Sequence, residues 1–435
     1  MSTHLPNYNL DRISRIHMIG VGGIGMSALA RHFLAEKKVV SGSDRTLSPV
    51  THALEQEGVQ IFGEQSAENI TDDIELVVYT EAMDPEQAEM AAAQAAGKPI
   101  LNYFAALGLA MNPYYLIAVA GTHGKTTTTA MLTDIFEANG KDPTAVIGSL
   151  RAATGSNYRA GKSKYAIVEA CEFRRDFLHL RPDVLVITNL EHEHVDYYPD
   201  LAAVQAAFGE LIAQVNEGGV VVTDPGQESI APLLVDCGKT VIDYTKSLDL
   251  QLPLKQPGLH NRLNAAAALA VATHEKLDSV ASKQALSDFA GVWRRFEFKG
   301  HCKGALVYDD YAHHPTEILA TIAGARELYP NKQIVVVFQP HTYSRTQALF
   351  DRFAKALGKA DVVHLLPIYA AREENTSGVS SRELAVKTLE YTTAVQHHDS
   401  VETLTAELRA TLDETMVLVV MGAGTVSAVA EQLTT

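Results

Sequence analysis

The sequence predicts an α/β protein of three domains. These are a Rossmann-like N-terminal domain, a central P-loop-type α/β domain and a Rossmann-like C-terminal domain. Three observations lead to this. Apolar runs of strand length alternate with helix-length stretches along the chain. Glycine turns follow two of those runs, as Gly20-x-Gly22-x-x-Gly25 and as Gly121-Thr-His-Gly124-Lys125-Thr126. The 435 residues suffice for several domains. The boundaries read as 1–114, 115–292 and 293–435.

The second glycine turn organises the rest. Leu116 to Ala120 reads as a buried parallel strand, and an apolar-periodic helix follows the turn. Strand, glycine loop and helix make a phosphate cradle of the ATPase type. The glycines would let backbone N–H groups approach phosphate oxygens, with Gly121, Thr122, His123 and Gly124 as expected nucleotide contacts, and the helix N-terminus would add partial positive charge. Lys125 supplies a charge between β- and γ-phosphate. Thr126, followed by Thr127, offers a hydroxyl to Mg²⁺. ATP is the expected nucleotide. Val119 stands where the full motif has its first glycine, so the loop is a variant.

Composition narrows the partners. Lys and Arg total 36 against 52 Asp and Glu, a net charge of −16. That argues against nucleic acid and anionic membrane as partners and is compatible with small anionic substrates. Cys171, Cys237 and Cys302 form no CxxC pair, which fits a reduced, cytoplasmic setting. The N-terminus, 1–11, has no apolar signal core, and no apolar run reaches a membrane-span length of about 20 residues. A monomer or homodimer is equally compatible.

In the first domain, Arg15 to Ser27 reads as strand, glycine turn and helix, and Val39 to Asp44 as a second strand ending in an acid. This is the dinucleotide fingerprint. Gly20, Gly22, Gly23, Gly25 and Asp44 are the expected contacts to a pyrophosphate, which a nucleotide-sugar diphosphate presents as well as NAD does. Gly22→Val is expected to clash with the phosphates. In the central domain, Tyr165 to Glu172 and Val184 to Asp196 read as strands running into carboxylates and histidines. Glu169 and His194 are the expected Mg²⁺ ligands, with alternate residues of Glu191, His192, Glu193, His194 and Asp196 pointing to opposite sides. For His192 and Glu193 a solvated turn is as good a reading. Asn261 and Asn264 fall at i, i+3 on an alanine-rich helix, where polar contacts to a base or ribose would explain them. An N-cap plus a surface Asn is the competing explanation. In the third domain, Tyr311, His313, His314, His341 and Arg345 follow two strands at the edge where such sheets hold ligands.

These stretches together resemble the Mur ligase family of peptidoglycan synthesis. The resemblance rests on Gly20-Val-Gly-Gly-Ile-Gly-Met26, Gly121-Thr-His-Gly-Lys-Thr126, Glu169-Ala-Cys-Glu-Phe-Arg-Arg175 and Asn189-Leu-Glu-His-Glu-His194. It continues through His260-Asn-Arg-Leu-Asn264, Arg294-Arg-Phe296, Asp309-Asp-Tyr-Ala-His-His-Pro315 and Phe338-Gln-Pro-His-Thr-Tyr-Ser-Arg345. It implies an ATP-dependent amide ligase that activates the carboxylate of UDP-N-acetylmuramate as an acyl phosphate and passes it to L-alanine, releasing ADP and phosphate. By the same resemblance, Lys125, His194, His341 and Arg345 are catalytic, and Thr126, Glu169 and His194 hold Mg²⁺. Asn261, Asn264, Arg295 and Asp310 hold ATP, while Tyr311 and His313 meet substrate. A base near His194 or His341 would take the amine's proton. There are departures. The segment before Pro257 is short, so the central sheet is expected to lack strands. The helix after His194 carries Gln205-Ala-Ala-Phe208 and no lysine for carbamylation.

Two other classes compete. An NAD-dependent oxidoreductase would leave the Lys125 loop without a task. A non-catalytic ATP switch would leave the C-terminal clusters without one. Residues of the central and third domains can share one reaction only if the domains close. The expected hinge is Ala290-Gly-Val-Trp-Arg294, with Gly291→Pro slowing turnover and sparing the fold.

Overall fold

The structure, a computed structural model, describes residues 8–81, 83, 86–195, 197–371 and 373–434. The chain gathers into two compact units. The first comprises Met1–Glu191, Ala202–Leu248 and Ala265–Leu286; the second comprises His192–Leu201, Asp249–Asn264 and Ser287–Thr435.

The first unit holds two sheets. Strands β1 (Arg15–Ile19), β2 (Val39–Ser43), β3 (Gln60–Phe62), β4 (Leu76–Tyr79) and β5 (Ile100–Asn102) form a parallel sheet ordered β3-β2-β1-β4-β5. Strand order reverses beside β1, so the Gly20–Gly25 turn at its C-terminal end occupies the switch-point crevice of a doubly wound sheet. Strands β6 (Tyr115–Ala120), β7 (Thr144–Arg151), β8 (Ser156–Arg159), β9 (Tyr165–Glu169), β10 (Val184–Ile187), β11 (Val220–Thr223) and β12 (Thr240–Asp243) make the second sheet. Its order is β12-β11-β10-β6-β9-β7-β8. Here β6 lies between β9 and β10, at another reversal. Leu116 to Ala120 and Val184 to Ile187 are fully buried, as the unbroken apolar runs require of strands covered on both faces. The short segment before Pro257 still leaves a broad central sheet. It has 7 strands, extended by the antiparallel partner β8, which carries Asn157 and Tyr158.

The second unit holds the third sheet. Its strands are β13 (Glu297–Cys302), β14 (Ala305–Asp310), β15 (Gln333–Phe338), β16 (Val362–Leu365), β17 (Val395–His397) and β18 (Met416–Met421), ordered β13-β14-β18-β15-β16-β17. Only β13 runs antiparallel. Alternation divides the core. Ile334, Val336 and Phe338 pack with Ile318, Phe353 and Leu357 on one face, while Val335 and Val337 pack with Leu404 and Leu408 on the other. Burying each such side chain contributes about 1.5–3 kcal/mol, so β15 is held from both sides.

Gly291 has φ +92°, and a Cβ there would come within 2.7 Å of Gln256 Nε2. Proline fixes φ near −65°, so Gly291→Pro would strain the fold, contrary to the sequence expectation. No described helix is long and apolar enough to cross a membrane.

Candidate active site

The phosphate loop is preformed by its own backbone. Gly121 at φ +127° and Gly124 at φ +82° close the turn between β6 and the helix Lys125–Ala138. A Cβ on Gly121 would sit 2.1 Å from Thr188 Oγ1. The end of β10 straps the loop in place. Thr122 N–H donates to Asn189 O at 3.0 Å and His123 N–H to Asn189 Oδ1 at 2.9 Å. Thr188 Oγ1 and Asn189 Nδ2 donate to His123 O at 2.6 and 3.0 Å. Gly124 caps the helix without a side chain, so the first-turn N–H groups remain turned toward an incoming anion.

Lys125 Nζ donates to Gly121 O at 2.6 Å and Thr122 O at 3.0 Å, and pairs with Glu172 at 2.9 Å. Burial opposes its charge, but the Glu172 carboxylate, with Cys171 and Glu169, more than offsets that and raises its pKa. The ammonium is therefore retained at every working pH. Glu169 ends β9 in register with Val119 of β6 and accepts Gly148 N–H at 3.0 Å. Thr126 and Thr127 are buried in the first helical turn.

The first-domain turn is equally fixed. Gly20 has φ +79°, and the N–H groups of Gly20 and Val21 donate to Ser43 O at 2.8 and 3.0 Å. Asp44 Oδ2 accepts Gly22 N–H at 2.9 Å, so this acid shapes the turn. A Cβ at Gly22 would lie 2.8 Å from Asp44 Oδ2 and 2.9 Å from Thr51 Cγ2, and one at Gly25 would lie 2.7 Å from the Tyr103 ring. The expected clash of Gly22→Val with phosphates thus begins inside the protein. Gly22→Val should cost about 1–3 kcal/mol of stability and raise KM for the pyrophosphate ligand more than for ATP. A variant with the wild-type melting temperature and equal shifts in both KM values would contradict this.

Asp176 lies in the short 3-10 segment Phe173–His179, in the first unit. Burial, and then Glu81, push its carboxyl up to about 7, and Asp176 Oδ2 lacks a hydrogen-bond partner among the described residues. A raised carboxyl pKa favours the folded state at low pH, and that advantage is lost as pH climbs from about 4 through about 7. Asp176→Asn should therefore stabilise the protein at pH 8 by on the order of 2 kcal/mol and leave it unchanged at pH 4. Thermal unfolding at both values checks it; equal gains at the two would argue for another cause.

In the second unit, Glu193 is the pivot. Its Oε1 receives Arg345 Nε at 2.9 Å and pairs with Nη2 at 2.8 Å, and His314 Nε2 lies 3.7 Å from Oε2. Burial alone would raise its pKa, but Arg345, His313 and His314 bring it down to about 2. The solvated-turn reading fails for Glu193, which is 7% exposed. His192 Nε2 meets Tyr198 O at 2.8 Å. His194 has φ +54°, and its carbonyl accepts from Tyr197 and Tyr198. The expected alternation along Glu191–His194 is also corrected. Strand β10 ends at Ile187, so these residues belong to no ladder. Asp196 lies outside the described residues.

His341 and Arg345 follow β15. Arg345 Nη1 lies 3.1 Å from His341 Nδ1, and the His341 ring stacks on Tyr369 with centroids 5.6 Å apart. His313 Nδ1 meets Tyr311 O at 2.9 Å, and its ring lies 6.3 Å from that of His341. Burial foremost holds His313 and His341 down to about 4. Both imidazoles are neutral at pH 7 and weak bases, so His341 is suited to orienting a substrate and poorly suited to taking a proton from an ammonium. Asp310 ends β14, accepts N–H groups of Phe296 and Ala312 at 2.9 and 2.7 Å, and is pushed up to about 6 by burial, against the pull of Arg295. The Arg295 and Arg294 guanidiniums lie 5.3 and 5.2 Å from the Tyr311 ring centroid. Asn261 and Asn264 are buried on the helix Leu259–His274, which rules out a chance surface Asn. Asn261 Nδ2 donates to Pro257 O at 2.8 Å and Asn264 Nδ2 to Asn261 Oδ1 at 3.4 Å.

Two groups stand out among the expected residues. Gly121 to Thr127 and Glu169 adjoin in the first unit. Tyr311, His313, His341 and Arg345 gather around Glu193 in the second. Sequence reasoning left Glu172, Asn189, Glu193 and Tyr369 without roles. Glu172 and Asn189 stand inside quoted motifs, which was their signal. Tyr369 carried none.

A phosphate loop in a parallel sheet, flanked in sequence by two further Rossmann-like sheets, defines a nucleotide-dependent enzyme of modular α/β build. The comparisons place it. Residues 15–115 match the Mur ligase family catalytic domain, 119–246 the Mur ligase middle domain and 294–424 the Mur ligase glutamate ligase domain. The chain belongs to the Mur ligase family. It is 39% identical to a UDP-N-acetylmuramate–L-alanine ligase of Agathobacter rectalis, over 96% of this chain and 97% of that one. It is 41% identical to one of an Arthrobacter species, over 86% and 85%. A crystal structure of a UDP-N-acetylmuramate-alanine ligase from Thermotoga maritima superposes with a TM-score of 0.80 at 29% identity, covering 96% of this chain and 98% of that one.

Proposed function

We propose that this protein joins L-alanine to the carboxylate of UDP-N-acetylmuramate at the expense of ATP, in peptidoglycan precursor synthesis. Identity of 36–39% over nearly the full length of ligases of that name carries the reading. Lys125, held in its glycine loop by Gly121 O, Thr122 O and Glu172, supports the ATP half. Division into domains 1–114, 115–292 and 293–435 is part of the proposal.

The chemistry follows from the residues. Lys125 and the first-turn N–H groups hold the transferring phosphoryl group of ATP as the muramate carboxylate attacks it, forming an acyl phosphate and ADP. Thr126, in the first turn of the helix after the loop, and Glu169, at the end of the strand beside β6, are hard oxygen donors, and this set fits Mg²⁺ with a nucleotide triphosphate. His194 would add a nitrogen ligand. Mg²⁺, when bound, supplies charge neutralisation to the phosphates. The Gly20–Gly25 turn holds the UDP pyrophosphate. Asn261, Asn264, Arg295 and Asp310 hold the nucleotide's base, ribose and phosphates. Arg345, His341, Tyr311 and His313 orient alanine and the acyl phosphate, with Arg345 fixed by Glu193. The neutral amine of alanine then attacks, and the tetrahedral intermediate collapses to amide and phosphate.

Phosphate release, measured with UDP-N-acetylmuramate and ATP against a panel of amino acids and the cell-wall tripeptide, tests the reading. Release with L-alanine above all others supports it. Preference for the tripeptide, or release without any acceptor, overturns it.

A further inference from the structure

A second group of histidines lies at the β17 edge of the third sheet, and the reaction described above leaves it without a task. His364 is on the inner strand β16. His398 follows β17, where its N–H donates to Leu365 O at 2.9 Å. The two side chains meet across the parallel pair, with His364 Nδ1 2.9 Å from His398 Nε2. They are 4% and 8% exposed. Glu407, on the helix Val401–Thr411, brings a carboxylate oxygen to 3.8 Å from His398 Nδ1. One nitrogen of each imidazole and one Glu407 oxygen all lie within 4.8 Å of one another.

We infer that His364, His398 and Glu407 bind a transition-metal ion of the zinc class, at a site distinct from the Mg²⁺ position beside the phosphate loop. The donor set is chemically specific. Two imidazoles and a carboxylate form a three-ligand set that leaves a fourth position for water. Imidazole nitrogen favours zinc, cobalt, nickel and copper over magnesium. In a tetrahedral site with bonds of about 2.0–2.1 Å, ligand atoms stand about 3.3 Å apart. The imidazole pair need open by only a few tenths of an ångström. Glu407, whose side chain is 37% exposed, stands 3.8 Å from His398 Nδ1, so it would swing from that nitrogen toward Nε2 to complete the set. The ladder fixes the backbone at His364, and His398 hangs from Leu365 O, so two of the three ligands are preorganised on rigid elements. The competing arrangement is a plain imidazole–imidazole hydrogen bond, in which one ring donates, the other accepts and no metal binds. An ion would tie β16, β17 and the Glu407 helix together. The chain continues from β16 through Leu366 to Tyr369, whose ring stacks on His341.

The test uses the full chain, stripped with chelator and returned to Mg²⁺ buffer, with Co²⁺ as the spectroscopic probe. Wild type should develop the visible absorption of tetrahedral Co²⁺, and Zn²⁺ should abolish it by displacement and raise the melting temperature. His398→Ala should lose the spectrum. Glu407→Gln, a change on an accessible helix face that decides the matter if His398→Ala does not fold, should weaken Co²⁺ affinity about tenfold or more. His194→Ala should keep the spectrum, which separates this site from the nucleotide-associated one. No tetrahedral Co²⁺ absorption in wild type, or absorption that survives both His398→Ala and Glu407→Gln, would overturn the inference and leave the hydrogen-bonded pair.

Discussion

Lys125→Ala is expected to lower kcat by about a thousandfold, the scale seen when a preorganised donor to developing charge is removed from a dry site. Two effects must be separated in that loss. Lys125 is the cation of the phosphate loop, but it is also the partner of Glu172, whose side chain is 2% exposed. Without the ammonium, Glu172 is a buried charge with its pair broken, a change that costs about 3–5 kcal/mol. A drop in activity alone could then be loss of fold. The double variant Lys125→Ala/Glu172→Gln resolves it, because the uncharged amide needs no cation. The melting temperature should return most of the way to wild type while turnover stays absent. Binding of UDP-N-acetylmuramate, followed by calorimetry, should persist in the double variant, since the Gly20–Gly25 turn lies on a different sheet from Lys125. Turnover within tenfold of wild type in either variant would remove Lys125 from the mechanism.

What the sequence disclosed, and what it withheld, follows from where the information sits in the chain. The two glycine turns were legible because local backbone geometry demands glycine. Gly121 and Gly20 adopt positive φ, and a Cβ at either would collide with Thr188 or Thr80. The central strands were legible because parallel strands buried on both faces leave unbroken apolar runs, as in Val184 to Ile187. Edge strands were less so. Glu297–Cys302 and Ser156–Arg159 are half-exposed antiparallel additions whose residues give no apolar run. The roles of Glu172 and Glu193 were invisible for a different reason. A carboxylate in a polar motif looks the same whether it holds metal, faces water or neutralises a half-buried cation. Only the partner distinguishes these cases, and Arg345 is 152 positions from Glu193. His341 was legible as a site residue, but its weak basicity was not. That comes from burial, with Arg345 opposing its protonation.

The pairing of Glu193 with Arg345 makes the other large prediction. Arg345→Ala should destabilise the protein by about 3–5 kcal/mol, although the residue stands among groups expected to meet substrate. The reason is geometric. Arg345 gives Glu193 Oε1 two contacts, at 2.9 and 2.8 Å, while His314 Nε2 is 3.7 Å from the other oxygen, beyond hydrogen-bond range. Remove the guanidinium and a carboxylate 8% exposed at its side chain keeps its charge without its counter-ion. Glu193→Gln/Arg345→Met removes both charges and keeps the volume, so it should recover most of the stability lost by Arg345→Ala. A double-mutant cycle built on Glu193→Gln and Arg345→Met should then show a coupling of about 2 kcal/mol or more. Turnover behaves otherwise. If Arg345 orients the acyl phosphate, the stable double variant stays slow, and KM for alanine rises with the loss of kcat. If the double variant recovers both stability and rate, Arg345 serves Glu193 alone and has no part in the reaction. A single Arg345→Ala loss below about 1 kcal/mol, the range of exposed ion pairs, would show that water reaches Glu193 and that the pair is not the buried pivot its geometry describes.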